Sequence, residues 1–196
     1  MITPSTSILE HKTTWQQDLA QAISDPAELL QALKLPEQLL PAARQAASDF
    51  PLRVTTHYLG LIKPGDLYDP LLRQVLPIQD ELAAIPGYTQ DPVGDAEASL
   101  GNGILHKYNG RALLMTTGAC AIHCRYCFRR HYPYAENSAI RHWDNMLQQL
   151  RNRPDIDEVI LSGGDPLSLS DTRLDHLIAQ IEQIPHISRL RIHTRL

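Results

Sequence analysis

Three cysteines fall within residues 120–127 of the run GACAIHCRYCFRRH, which covers residues 118–131. Their spacing is Cys-x3-Cys-x2-Cys: Cys120, Cys124 and Cys127. Thiolates crowded on one short loop suit soft metals, either zinc or an iron–sulfur cluster. Three thiolates are one ligand too few for a closed four-iron cluster, so one iron would stay open to an exogenous ligand. A catalytic cluster needs that open position and an electron-transfer cluster avoids it. Spacing alone also admits a structural zinc site, with His123 or His131 as the fourth ligand. An odd number of cysteines packed this tightly excludes a disulfide framework and points to a reducing, intracellular setting.

Two further features can do chemistry. The apolar run Val159-Ile160-Leu161 leads straight into Ser162-Gly163-Gly164-Asp165. Paired glycines let backbone approach a ligand closely, and a carboxylate suits an ammonium. The alternative is a tight turn in which Asp165 only caps. The second feature is charge. Residues 101–131 carry five basic side chains (Lys107, Arg111, Arg125, Arg129, Arg130) and no acid, inside a chain of net charge −4. Residues 1–100 carry 6 basic and 13 acidic side chains. A short positive block in an acidic chain reads as a local anion site; nucleic acid calls for a broader basic face.

The elements that must position these groups read as α/β. Residues 1–100 form an N-terminal helical region punctuated by proline. Asp25-Pro26 is a cap and first-turn pair ahead of Leu29, Leu30 and Leu33. Pro36 opens a second helical stretch, interrupted early by Pro41, and Val54–Ile62 is apolar enough to pack. Residues 90–103 read as a loop, with the boundary at about residue 100. From there the order is strand (Ala112–Met115), helix (Ile140, Trp143, Leu147, Leu150), strand (Val159–Leu161), helix, and strand (Leu190–Leu196). Ser170 caps the second helix, whose inward face is Leu174, Leu177, Ile178, Ile181 and Ile184. Two successive crossovers imply parallel strands, with the loops after them on one rim. The cysteine loop and the Gly-Gly turn should therefore be spatial neighbours.

With 196 residues, 43% apolar and 20% charged, the chain reads as a soluble globular protein with a real core. Its first residues, MITPSTSILEHK, lack the features of a signal peptide, and no apolar run is long enough to span a membrane.

The cysteine spacing resembles that of the radical S-adenosylmethionine superfamily. The flanks narrow the resemblance to the lysine 2,3-aminomutase family: His106–Leu114 before the loop, Cys127–His131 at its end, and Leu161–Leu167 after the second strand. The runs Arg125–Asn137 and Leu190–Leu196 are most similar to the bacterial branch that modifies elongation factor P. The resemblance implies the first strands and helices of a partial (β/α)6 barrel, with residues 101–196 as an incomplete barrel domain.

For the site it implies that Cys120, Cys124 and Cys127 hold a 4Fe–4S cluster whose open iron binds S-adenosylmethionine. Reductive cleavage of that cofactor gives the 5′-deoxyadenosyl radical that abstracts hydrogen from lysine, while pyridoxal 5′-phosphate carries the substrate as an imine through the 2,3-migration. Ser162, Gly163, Gly164 and Asp165 match the turn that contacts S-adenosylmethionine. Arg129 matches the arginine on the substrate carboxylate, and Lys107, Tyr108 and Arg111 match the stretch that holds the pyridoxal phosphate. The family's pyridoxal-phosphate lysine has no counterpart here, and neither do the acids that bind the substrate ammonium. The chain is therefore expected to be an N-terminal portion of a longer enzyme and inactive alone.

The implied activity is conversion of (S)-α-lysine to (R)-β-lysine, and the implied reductant is a flavodoxin or ferredoxin. The product would pass to an elongation factor P lysine ligase in the cytoplasm, with neither nucleic acid nor membrane as a partner. Two other readings stand beside it: an aminomutase supplying free β-lysine to another pathway, and a non-catalytic zinc or iron–sulfur module.

Overall fold

The computed structural model describes residues 15–196; the segment 1–12 read above for a leader lies outside them. The N-terminal part packs short helices around one apolar cluster. Helix α1 is Trp15–Ala20 and α2 is Pro26–Ala32. The Asp25 carboxylate caps α2 by accepting from the Ala27 N–H at 2.9 Å. A 3-10 turn at Glu37–Leu39 leads into α3, Leu40–Asp49. Pro41 does not interrupt this helix: it sits in the first turn, where a missing N–H costs no intrahelical bond. The short helices α4 (Thr56–Leu59) and α5 (Leu72–Val75) complete the group. Leu29, Leu30, Leu33, Leu52, Val54, Leu72 and Val75 are all buried in its core.

The second part is a five-stranded sheet whose spatial order follows the chain. Its strands are β1 (Ser99–Gly101), β2 (Ile104–Tyr108), β3 (Gly110–Thr117), β4 (Ile156–Gly163) and β5 (Arg189–Ile192). Strands β1 to β3 pair antiparallel, and β3, β4 and β5 pair parallel. Helix α6 (Trp143–Arg151) crosses from β3 to β4, and α7 (Asp171–Glu182) from β4 to β5. The two expected crossovers are present.

The β1–β2 hairpin was not expected, and β1 lies inside the stretch read as a loop. Its strands are short, and β2 runs from buried Ile104 and Leu105 to exposed Lys107 and Tyr108, so it shows no alternation to read. The hairpin turns at Gly101-Asn102-Gly103, all with positive φ.

One sheet face packs on α6 and α7: Ala112, Leu114, Val159 and Leu161 bury against Met146, Leu147, Leu150, Leu177, Ile181 and Ile184. The other face carries the chemistry. Register pairs Arg111 with Glu158 and Met115 with Ser162. The C-terminal ends of β3 and β4 lead directly into the cysteine loop and the Gly-Gly turn.

Candidate active site

The cysteine loop leaves β3 and docks on the N-terminal helices. Cys120, Cys124 and Cys127 are half-buried free thiols. Between them, the His123 N–H donates to Arg53 O (3.0 Å) and the Arg125 N–H to Gln74 O (2.8 Å). The His123 ring stacks on Phe50 and its Nδ1 lies 2.9 Å from Pro51 O. Arg125 is buried deepest. It donates to Phe50 O (2.7 Å) and Ala46 O (3.2 Å), and pairs with Glu81 at 2.7 Å. Helix α3 has no basic residue in its own last turn; Arg125 supplies that charge to its terminal carbonyls. Arg130 joins from the far side, bonded to Glu81 (2.8 Å) and Asp49 (3.1 Å). His131 lines a surface hollow with Asp49, Glu81 and Tyr88.

Removing one partner of a buried pair leaves an uncompensated charge, a loss of about 3–5 kcal/mol. Arg125→Ala is therefore expected to destabilise the protein by that order, read as a lower midpoint in chemical denaturation. Burial opposes charge on Glu81, but Arg125, the Ile78 N–H and Arg130 together hold its carboxyl below the usual range. A depressed carboxyl contributes stability that is present above its unfolded value and lost as pH falls through its folded one. This joint should consequently fail only in acid. Glu81→Gln should remove that part of the acid sensitivity, measured as stability against pH.

The Gly-Gly turn lies against the cysteine loop, as the rim argument requires. The Gly164 N–H donates to Thr117 O at 2.6 Å and the Asp165 N–H to Ala119 O at 2.7 Å. Gly163 has φ +125°, and a Cβ there would sit 2.5 Å from Thr117 O; at Gly164 it would sit 2.2 Å from Ala119 O. The turn needs both glycines because backbone touches backbone. Buried Asp165 caps the 3-10 turn Pro166–Ser168 by accepting from the Leu167 N–H (2.9 Å). The same carboxylate accepts from Thr194 Oγ1 (2.8 Å) and the Arg195 N–H (2.6 Å), beyond β5. Arg195 returns to the cysteine loop, donating to the Tyr126 hydroxyl at 2.9 Å and lying 3.4 Å from Cys124 Sγ. Three strand ends thus meet at one place.

The positive block is compensated in three dimensions. All five of its cations meet carboxylates from elsewhere in the chain: Lys107 and Arg129 at Asp95, Arg111 at Glu158, Arg125 at Glu81, and Arg130 at Glu81 and Asp49. Arg129 Nε is 2.7 Å from Asp95 Oδ2, and its NH1 is 3.4 Å from Ser162 Oγ. Arg129 and the Gly-Gly turn are thereby brought together. Lys107, Tyr108 and Arg111 are not drawn to one point. Lys107 turns to Asp95, while exposed Tyr108 is the cross-strand partner of Arg111. Arg111 stands six residues before Thr117 on β3, roughly 20 Å from the cysteine rim at the usual strand rise. Asp95, Glu81, Glu158, Thr194 and Arg195 were not singled out from sequence. The one available signal was the block's own unbalanced charge, which had to be matched by some of the acids outside it.

The match to known proteins follows this geometry. Residues 114–196, from β3 through both site loops to the last residue, match the family described as the Radical SAM superfamily. The chain is 49% identical over 184 residues to an L-lysine 2,3-aminomutase of Escherichia coli, covering 93% of this chain and 54% of that protein. It is 43% identical over 196 residues to an L-lysine 2,3-aminomutase of Haemophilus influenzae, covering 100% of this chain and 58% of the relative. A third relative of the same name, from Clostridium subterminale, is 31% identical over 92% of this chain. The chain carries a radical SAM domain over residues 114–196. It spans about half the length of the curated relatives it matches.

A radical SAM protein needs a 4Fe–4S cluster and S-adenosylmethionine, and the donor set suits the cluster. A four-iron cluster places one thiolate on each of three irons, and Cys120, Cys124 and Cys127 are three half-buried free thiols on one loop. Burial pushes the Cys120 thiol up to about 12, and the charges of Cys127, Asp165 and Cys124 add to the shift. A thiol held this way would ionise only against the positive charge of bound iron.

No helix among the described residues is long and apolar enough to cross a membrane.

Proposed function

We propose that the chain forms the cluster-bearing portion of a lysine 2,3-aminomutase that converts (S)-α-lysine to (R)-β-lysine in the cytoplasm. The observation that carries this reading is the packing of the Cys120–Cys127 loop against the Ser162–Asp165 turn, backbone to backbone, in a chain 49% identical to a protein of that name. When bound, the cluster and S-adenosylmethionine supply a one-electron route to hydrogen abstraction. Cys120, Cys124 and Cys127 hold the iron. The Gly163–Gly164 backbone lies toward the ammonium end of S-adenosylmethionine, with Asp165 behind it as the carboxylate that holds the turn to Thr194 and Arg195, and Arg129 takes the substrate carboxylate through its planar fork. Tyr108 and Arg111, cross-strand partners, offer a pyridoxal phosphate a phenol and a cation that the phosphate would share with Glu158, while Lys107, matched to the same stretch, is held at Asp95. The electron donor is a flavodoxin or ferredoxin. The product is destined for elongation factor P, a reading supported by the Arg125–Asn137 run.

The test is chromatography of products from the whole protein, anaerobically reconstituted and given reductant, S-adenosylmethionine, pyridoxal phosphate and L-lysine. β-Lysine is the expected product. Cleavage of S-adenosylmethionine with lysine left unchanged would overturn the aminomutase reading and leave the superfamily intact.

A further inference from the structure

We propose that Asp95 is a positioning residue that sets the Arg129 guanidinium for a substrate carboxylate. The inference rests on the reading of Arg129 given above. Asp95 is 2% exposed, and its carboxylate lies between two cations from different elements. Arg129 Nε approaches Oδ2 at 2.7 Å, and Lys107 Nζ approaches Oδ1 at 2.6 Å. The residue is itself held in place: the N–H groups of Asp95 and Ala96 both donate to the Asp91 carboxylate at 2.8 Å. Engaging Arg129 through Nε leaves the two terminal nitrogens as the free edge of the fork. NH1 points to Ser162 Oγ at 3.4 Å, and the guanidinium lies over the Phe128 ring at 4.7 Å, so its plane is fixed as well as its edge.

Charge points the same way. One carboxylate against two ammonium-type cations leaves a single net positive charge, matched to one carboxylate. The Tyr132 hydroxyl is buried and has no hydrogen-bond partner among the described residues, and the Tyr132 N–H donates to Arg129 O at 3.0 Å. The ligand chemistry selected is an α-amino acid recognised by its ionised carboxyl.

Asp95→Asn is the informative variant. An amide oxygen can still accept from Arg129, but the amide nitrogen then confronts Lys107, donor against donor. Hydrogen bonds to charged groups contribute about 1.5–3 kcal/mol, or roughly tenfold to a hundredfold in affinity. In the whole protein, Asp95→Asn should raise KM for L-lysine, and Kd by calorimetry, by about tenfold or more. The preference for L-lysine over lysinamide should fall by the same factor. Iron content and the spectral response to S-adenosylmethionine should not move. Asp95→Glu keeps the charge but displaces the fork, and should lose the same preference. Wild-type preference in both variants would overturn the assignment of Asp95 while leaving Arg129 in its role. A wild-type protein that does not distinguish lysine from lysinamide would overturn the Arg129 reading and this inference with it.

Discussion

Serine in place of Cys120, Cys124 or Cys127 should each, alone, abolish retention of a four-iron cluster after anaerobic reconstitution. The three thiols are the only cysteines in the chain. A cluster with one exchangeable iron has no protein ligand to spare, and a serine hydroxyl is a poor ligand for iron. Bound iron and its visible absorption should therefore drop together in every single variant, while the helical and sheet core around Leu114, Leu161 and Leu177 stays folded. A set of ordinary buried thiols would behave differently, because serine would alter stability slightly and metal content not at all. Equal loss of zinc in each variant would point to the metal-binding module instead.

The second large effect comes from a single methyl group. Gly164→Ala would put a Cβ at 2.2 Å from Ala119 O, a contact with backbone that no rotamer change relieves. The cysteine loop and the turn after β4 must then separate. That breaks the Gly164 N–H bond to Thr117 O and the Asp165 N–H bond to Ala119 O. Overpacking of this kind costs about 3 kcal/mol. The loss should appear both in denaturant melts and as a weakened response of the reconstituted protein to S-adenosylmethionine. Gly60→Ala is the matched control: its nearest neighbour would be His57 O at 3.4 Å, and a change well under 1 kcal/mol is expected there. If the two alanines behave alike, the close approach of the loops is not what holds this rim together.

Much of the parallel half of the fold was legible because buried parallel strands read as continuous apolar runs. Ala112–Met115 and Val159–Leu161 are such runs, and both mark the centres of strands. The inward face of α7 was legible for the complementary reason, its 3.6-residue period. The hairpin was not, since a three-residue strand and a strand that passes from buried to exposed along its length carry no period. The cysteines and the Gly-Gly turn could be found because each is a local pattern. The carboxylates that organise the basic residues could not. Asp95 and Arg129 are 34 positions apart, and Glu81 and Arg125 are 44 apart. Nothing in the residues around Asp95 separates it from the acids at Asp91 and Glu97. Only the sheet and the docking of the loop on α3 show which acid answers which cation. The N-terminal helices thereby acquire a role that composition did not suggest: Phe50, Glu81 and Gln74 form the bed on which the cysteine loop is shaped.

Binding of a cluster by Cys120, Cys124 and Cys127, with one iron open to S-adenosylmethionine, can be read by electron paramagnetic resonance of the anaerobically reconstituted, reduced protein, with and without S-adenosylmethionine. The expected spectrum is a reduced four-iron signal whose shape changes when S-adenosylmethionine is added. A reconstituted protein that holds zinc and gives no iron signal, or a four-iron signal indifferent to S-adenosylmethionine, would contradict it.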